Sequence, residues 1–322
     1  MTVSRVLRDD QRVSARTRTK VLEAVEALGY RRNELARNLR LGKTSGLVGL
    51  VVTNLANPFY SQVALGVESV AGEQGLKVVL GNTGEDVQRE RRLVEEFAAR
   101  RVDGMIVVPA GSDHSHLGPS RLGRIPVVLG ARPPSNIAAD CVLVDDFGGA
   151  RKATTALIAH GVRRVGFLGL PLTAWTGSER FRGFSVALDE AGLALDERHV
   201  RRNQRTIATA EAAARDVLRL ADPPDAFFCA NSRNTLGAYR AISAMERDLA
   251  LGGFDDFELA DMLGVTLVVA AYDPEELGRQ AAKLLLDRMG RGGSGDADGP
   301  PRRVVIPTNV IEYGAGRLAL RG

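Results

Sequence analysis

Apolar runs and amphipathic stretches alternate along the chain from residue 46 onward. The run GLVGLVV at 46–52 is apolar on successive residues, as a strand buried on both faces requires. The next stretch, SQVALGVESVAGEQG at 61–75, has helical spacing and ends in a glycine. Further strand-like runs follow, separated by helices or loops: KVVLGN, GMIVVPA, IPVVLGA, RRVGFLGL and DAFFCAN. This alternation predicts an α/β fold in which helices cover both faces of parallel sheets.

This part of the chain is long for a single sheet, and we expect two α/β lobes that divide near Asp145–Phe147. The first lobe is predicted to span 45–145 plus about 273–292, because the helix after the strand LVVAAYDP crosses back to it. The second lobe is predicted to span 146–272 plus about 302–322, with RRVVIPTNVIE as a last strand. Two such lobes place a ligand cleft at the carboxyl ends of their strands.

The first 30 residues carry a different, all-helical pattern. Thr2 to Leu7 is typical of a short helix, and Ser14 is a favoured N-cap for a second helix. We expect that second helix to end at Gly29 and to carry one apolar face, formed by Val21, Leu22, Val25 and Leu28. Residues 31–44 then link this segment to the two lobes.

Charge is distributed unevenly along the 322 residues. Residues 1–44 hold 11 Lys and Arg against 5 Asp and Glu, whereas the rest of the chain holds 32 against 34. A basic segment ahead of a nearly neutral body is typical of a protein that binds a polyanion, and a solvated basic arm is the alternative. The absence of a long apolar run and of a signal-peptide pattern predicts a cytoplasmic protein without a membrane span.

The sequence offers no catalytic or metal-binding constellation. GKT at 42–44 lacks the upstream glycine of a phosphate-binding loop, because position 37 is arginine. His114 and His116 have no nearby cysteine or acidic ligand set, and Cys141 and Cys229 lie alone in apolar runs, as reduced core residues do. We therefore expect no enzyme, no cofactor and no metal.

Several motifs occur in order along essentially the whole chain: TVSRVL, VSARTRTKVLEAVEALGYRRN, ELARNLRLGKTSGLVGLVV, NPFY, SERFRGF, ANSRNTLGA and GFDD. Together they resemble the lactose-repressor (LacI/GalR) family of transcription regulators. The resemblance implies a periplasmic-binding-protein-like core of two lobes, preceded by a helix-turn-helix whose recognition helix is TVSRVL. Family members begin with a first helix and a tight turn before that element. We therefore expect either a start codon further upstream or a truncated DNA-binding segment at 1–30.

The resemblance also implies how DNA is read. Thr2, Ser4 and Arg5 are expected to reach bases or phosphates in the major groove, and Arg16, Thr17 and Arg18 to hold phosphates. The linker at 31–44 contains a hinge helix that folds on the operator. There Leu39 wedges into the minor groove, Ala36 permits close approach of the symmetry mate, and Arg37 and Arg40 contact the backbone. In the alternative, Leu35 and Leu39 dock on the core.

A small-molecule effector is expected in the cleft between the lobes. By resemblance and position its contacts are Phe59, Tyr60, Asp145, Trp175, Thr176, Arg180, Arg205, Asn231 and Asp255. Ser232 stands where the family usually has aspartate, and Arg205 where many members have an aromatic residue. Both departures make the cleft more positive, so we expect a carboxylate- or phosphate-bearing ligand, such as a sugar acid, with Trp175 stacked on its apolar face.

These observations predict a homodimeric repressor that binds a pseudo-palindromic double-stranded operator and responds to a carbohydrate-class effector. The alternative is a cytoplasmic small-molecule-binding module that has lost DNA binding through N-terminal truncation. Salt dependence separates the two, because phosphate contacts make DNA affinity fall steeply with added salt.

Overall fold

A computed structural model of the chain describes residues 2–6, 12–29, 45–292 and 299–314. The chain divides into two compact units, Met1–Ser45 and Gly46–Gly322. Within the described residues, no helix is long and apolar enough to cross a membrane.

The N-terminal unit contains two helices, α1 (Thr2–Val6) and α2 (Ala15–Ala27). Ser14 caps α2 as predicted, since its side chain accepts a hydrogen bond from the Thr17 amide. Gly29 adopts the expected left-handed conformation, with φ of 58°. The apolar face of α2 lines a groove together with Val3, and Leu28 at its end is 81% exposed.

The larger unit contains two six-stranded sheets, as the α/β pattern predicts. In the first sheet all strands are parallel, in the spatial order β11-β5-β4-β3-β1-β2. Their bounds are β1 Leu47–Val52, β2 Lys77–Asn82, β3 Gly104–Val107, β4 Val127–Gly130, β5 Asp140–Val144 and β11 Arg303–Ile306.

The second sheet has the order β12-β10-β9-β8-β6-β7, and its edge strand β12 is antiparallel to β10. Its strands are β6 Val165–Leu168, β7 Val200–Arg201, β8 Ala226–Cys229, β9 Ala250–Phe254, β10 Leu267–Ala271 and β12 Asn309–Tyr313. The prediction for RRVVIPTNVIE was wrong in one respect. The segment is not one strand of the second lobe, because Pro307 separates two strands and the first of them pairs with β5 in the first sheet.

Helices cover both sheets. On the first lobe they are α3 Pro58–Glu73, α4 Val87–Ala99, the short α5 Pro119–Leu122 and α10 Pro274–Arg288, and on the second α6 Asp146–Ala159, α7 Trp175–Glu190, α8 Ile207–Leu218 and α9 Ser232–Ala244. Helix α10 crosses back to the first lobe and packs on α3. Two glycines permit this close approach, because a Cβ on Gly66 would overlap the Glu275 carbonyl and one on Gly278 the Val63 carbonyl.

Buried side chains fill both faces of each sheet, which is why the strands are apolar on successive residues. In the second lobe, Phe167, Phe184 and Phe228 pack ring on ring at 5.1–6.1 Å between centroids. Cys141 and Cys229 are buried and free, so the sequence interpretation of them as core residues holds.

Candidate functional site

A small cavity lies where the carboxyl ends of the two sheets face each other. Its lining residues follow strands of both lobes, and they include Thr53, Glu85, Arg132, Asp146, Leu170, Arg205, Asn231, Asp255 and Tyr272. The carboxyl edge is where open α/β sheets bind ligands. This inner cavity of about 90 Å³ holds only a few water molecules. It adjoins a wider space of about 1040 Å³ at the mouth of the cleft, and the two share Asn57, Phe59, Arg233, Asp255 and Tyr272. A larger ligand that reaches the inner cavity requires the lobes to separate there.

Arg180 is the centre of a buried charge network on the wall formed by the second lobe. Its Nε atom donates to Asp146 Oδ1 at 2.8 Å, and Nη1 donates to the Ala230 carbonyl at 2.7 Å and to Asp255 Oδ1 at 3.2 Å. The guanidinium also lies 3.6 Å from the centroid of the Phe254 ring. One buried arginine therefore holds two carboxylates at the edge of the cavity.

The carboxylates in this network keep unused acceptor capacity. Burial raises the pKa of Asp146 to about 6, and Asp255 acts in the same direction while Arg180 opposes it. Asp146 Oδ2 is buried and has no hydrogen-bond partner among the described residues. Asp255 accepts a second hydrogen bond from the Tyr272 hydroxyl at 2.9 Å. A ligand hydroxyl or ammonium would complete this arrangement.

On the wall formed by the first lobe, Glu85 and Arg132 form a two-pronged ion pair, with N–O distances of 2.9 and 2.6 Å. Burial alone would raise the pKa of Glu85, but the Arg132 guanidinium outweighs this effect and lowers it. Beside this pair, the Thr53 hydroxyl donates to the Tyr60 hydroxyl at 2.6 Å.

Three lining residues occupy the left-handed region of backbone space without being glycine: Glu85 (φ 67°), Ala131 (φ 59°) and Asp255 (φ 68°). Each follows a strand, at the point where the chain turns over the cavity. Such strain concentrates at functional sites, because the surrounding structure must hold it in place.

Two further arginines line the cavity without a carboxylate of their own. In the described parts of the chain, neither Arg205 nor Arg233 forms an ion pair, although the charge of Arg205 contributes to lowering the pKa of Glu85. The cavity wall therefore carries four arginines against three acidic residues, Glu85, Asp146 and Asp255. The positive excess of this inner wall comes from Arg205 and Arg233, whereas the wider mouth of the cleft also carries Asp256, Glu258, Asp273 and Glu275.

Most of the residues expected in the cleft lie at the cavity, namely Phe59, Tyr60, Thr176, Arg180, Arg205, Asn231 and Asp255. Asn231 also caps α9 by accepting from the Asn234 amide at 2.9 Å. Two expectations need correction. Asp145 does not line the cavity, because its side chain caps α6 at the Gly148 amide, and its neighbour Asp146 turns inward instead. Trp175 does not line the cavity either. It is the first residue of α7, and the next residue, Thr176, lies at the cavity wall.

Sequence reasoning missed five functional candidates: Glu85, Arg132, Asp146, Arg233 and Tyr272. Arg132, Asp146 and Tyr272 each follow a buried strand within two residues. Listing every polar residue after a predicted strand would have found these three. Arg233 lies in the first turn of α9, and no sequence pattern indicates that it lines the cavity.

The residues expected at DNA are placed only in part. Arg5 lies on α1, and Arg16, Thr17 and Arg18 lie in the first turns of α2. Arg5 and Arg16 are exposed, as a DNA contact requires. Thr2 and Ser4 also lie on α1. Ala36, Arg37, Leu39 and Arg40 lie outside the described residues.

Comparison with known proteins agrees with this geometry. The family profile described as "Periplasmic binding proteins and sugar binding domain of LacI family" matches residues 45–312, and "Bacterial regulatory proteins, lacI family" matches residues 1–33. The chain belongs to the LacI family. It is therefore a bacterial transcriptional regulator with a sugar-binding-type core.

Three comparisons illustrate the match. The HTH-type transcriptional regulator CelR of Thermobifida fusca is 33% identical, over 98% of this chain and 94% of the relative. A solved CelR–cellobiose complex is 31% identical, with a TM-score of 0.73 over 96% of this chain and 93% of that one. A crystal structure described as that of "a putative ribose operon repressor from Burkholderia thailandensis" is 30% identical, with a TM-score of 0.74 over 83% of this chain and 99% of that one. The two solved structures have the same two-lobed fold as this chain.

Proposed function

We propose that this LacI-family chain is a cytoplasmic repressor that binds a pseudo-palindromic operator as a homodimer and is controlled by a hydroxyl-bearing anion in the cavity between the lobes. A sugar acid or a sugar phosphate is the class we favour. The observation that carries the effector class is the positive excess on the cavity wall, where Arg205 and Arg233 have no paired carboxylate.

The arginines and the carboxylates of the cavity are expected to bind different groups of the effector. Arg205 and Arg233 are forks that match a carboxylate or phosphate group, and a charge-assisted hydrogen bond of this kind is strong in an enclosed site. Asp146 Oδ2 and Asp255 supply acceptors for hydroxyl groups. Phe59 and Tyr272 supply the apolar surface that we expected from Trp175.

A neutral sugar is the competing effector class, because a related regulator, CelR, is known in complex with cellobiose. Isothermal titration of the full chain with hexuronates, hexonates and hexose phosphates, each beside its neutral parent sugar, separates the two. We expect an anion to bind at least about tenfold more tightly than its parent. A neutral sugar that binds while its acid analogue does not would contradict the proposal.

Matched variants locate the charge recognition. Arg205→Ala and Arg233→Ala are each expected to weaken anion binding about tenfold or more, because each removes a charged donor. Arg240→Ala is the control, since it is an exposed arginine on the same helix as Arg233 and does not line the cavity. Equal affinities for Arg233→Ala and Arg240→Ala would refute the role of Arg233.

For DNA recognition we assign base or phosphate contacts to Thr2, Ser4 and Arg5, and phosphate contacts to Arg16, Thr17 and Arg18. Ala36, Arg37, Leu39 and Arg40 are proposed as the hinge segment. Homodimer formation is supported by exposed apolar side chains on both lobes, including Leu65 (57% exposed), Leu259 (65%) and Met262 (72%).

Control follows from the small volume of the cavity. A sugar-sized anion requires the lobes to change their angle, and in a dimer this change shifts the first lobes relative to each other. We propose that this shift decides whether the two hinge segments can pair on the operator. Effector and operator then influence each other's affinity by the same factor.

A further inference from the structure

We propose a second anion-binding site on the outer face of the first lobe, between α4 and residues 115–122, that takes a phosphate or phosphate-ester group. A cavity of about 340 Å³ is present there, which lies in the size range of small-ligand pockets. It shares no lining residue with the effector cavity.

The charged groups of this outer cavity favour an anion. Arg91 and Arg121 both line it, against one carboxylate, Glu95. The charge of Arg91 contributes to lowering the pKa of Asp113, but within the described residues neither arginine forms an ion pair, so both guanidinium groups can bind a ligand. Two guanidinium forks on the wall of one cavity suit the oxygen atoms of a phosphate group.

A histidine with one unpartnered ring nitrogen strengthens the inference. His116 lines the cavity, its side chain is only 9% exposed, and its Nε2 atom lies 2.8 Å from Glu90 Oε1. The other ring nitrogen, Nδ1, is buried and has no hydrogen-bond partner among the described residues, and the same is true of Arg91 Nε. Buried polar atoms are nearly always paired, so we take these two atoms beside the cavity as groups that a bound anion would pair.

A phosphate ester suits either protonation state of the ring. Its hydroxyl can donate to a neutral Nδ1, and its oxygen can accept from a protonated one. The remaining phosphate oxygens accept from the two arginines.

The outer site is connected to the effector cavity by a short chain of hydrogen bonds. Glu90, which binds His116, also accepts from the Ala110 amide at 2.6 Å. The adjacent Pro109 carbonyl accepts from Arg132 Nη1 at 2.6 Å, and Arg132 lines the effector cavity. A ligand that reorients His116 therefore acts on a backbone segment that holds Arg132. Occupancy of the outer site is expected to change effector affinity, and the reverse.

Isothermal titration of the full chain with inorganic phosphate and with glycerol 3-phosphate tests the site. We expect binding to persist in Arg205→Ala, which weakens anion binding in the effector cavity, and to weaken about tenfold or more in Arg121→Ala, which removes a charged donor from an exposed position. Arg124→Ala is the matched control, because Arg124 is an exposed arginine two residues after the end of α5 and does not line the cavity.

Three outcomes would overturn the proposal: no binding of either probe at millimolar concentration, the same affinity in Arg121→Ala and Arg124→Ala, or loss of all phosphate binding in Arg205→Ala. The third outcome would place the phosphate in the effector cavity. His116→Phe provides a second variant, expected to weaken binding in the same way as Arg121→Ala.

Discussion

Replacing Arg180 tests whether the buried charge network beside the effector cavity is held together by this side chain. In Arg180→Met the volume is nearly kept, but Asp146 (2% exposed) and Asp255 (12%) lose their shared cation. Removing one partner of a buried ion pair costs about 3–5 kcal/mol, because the remaining charge stays uncompensated. We expect a loss of that size in the free energy of unfolding at pH 7.

The loss should shrink at lower pH. The pKa of Asp146 is already about 6 with Arg180 present, and removal of the cation raises it further. At pH 5 the folded variant can therefore neutralise Asp146 by binding a proton, whereas the unfolded chain, with a pKa near 3.8, does not. Folded wild type binds the same proton, but it gains less stability from it because its Asp146 pKa is lower, so the variant becomes more stable relative to wild type as the pH falls from 7 to 5.

Urea unfolding followed by the fluorescence of Trp175, the single tryptophan, measures both effects in the second lobe. Arg219→Met is the control, since Arg219 is 67% exposed and its ion pair with Asp216 is 3.8 Å long. We expect it to change stability by less than about 1 kcal/mol. The double variant Arg180→Met/Asp146→Asn should recover part of the loss. A loss below about 1 kcal/mol for Arg180→Met at pH 7 would refute the reasoning.

Three further predictions concern charge, packing and assembly. Burial raises the pKa of Asp146 from 3.8 to about 6, so the stability of wild type relative to Asp146→Asn should fall by about 2 kcal/mol between pH 4 and 7 in urea titrations; a flat difference would contradict this. Gly66→Ala should destabilise the chain, because its Cβ overlaps the Glu275 carbonyl, whereas Gly72→Ala on the same helix meets only the flexible Glu68 side chain at 3.6 Å and should stabilise it by about 0.5–1 kcal/mol; equal melting temperatures would contradict this. Leu65→Glu should shift a dimer toward monomer in sedimentation velocity, and an unchanged dimer would exclude α3 from the interface.

The sequence predicted the layout of the larger unit well, because its buried strands are continuous apolar runs bounded by turns. The run at 46–52 and the segment DAFFCAN both became central parallel strands. The last segment was harder to assign. RVVI and NVIEY look alike in polarity, and nothing local tells which sheet each strand will join; that choice depends on pairing with Asp140–Val144 and Leu267–Ala271.

Residues of the candidate site were predicted correctly where they belong to a recognisable motif. They were predicted less well where the direction of the side chain determines whether a residue lines the cavity. Arg180 and Asp255 were found through SERFRGF and GFDD. Asp145 and Asp146 are adjacent carboxylates, and which of them caps α6 depends on the exit angle of β5, which the sequence does not show. Arg132 was missed because its partner Glu85 lies 47 positions away, so that only folding joins the two charges.

Operator binding in the presence of an anion tests the central claim most directly. The assay is fluorescence anisotropy of a labelled DNA fragment from upstream of the gene, at two salt concentrations, with the full chain and with a chain extended to the next upstream start codon. We predict salt-dependent, specific binding whose affinity changes about tenfold or more with the anion found by calorimetry, but not with its neutral parent and not in Arg205→Ala. Operator affinity that responds to a neutral sugar and to none of the anions would contradict the account.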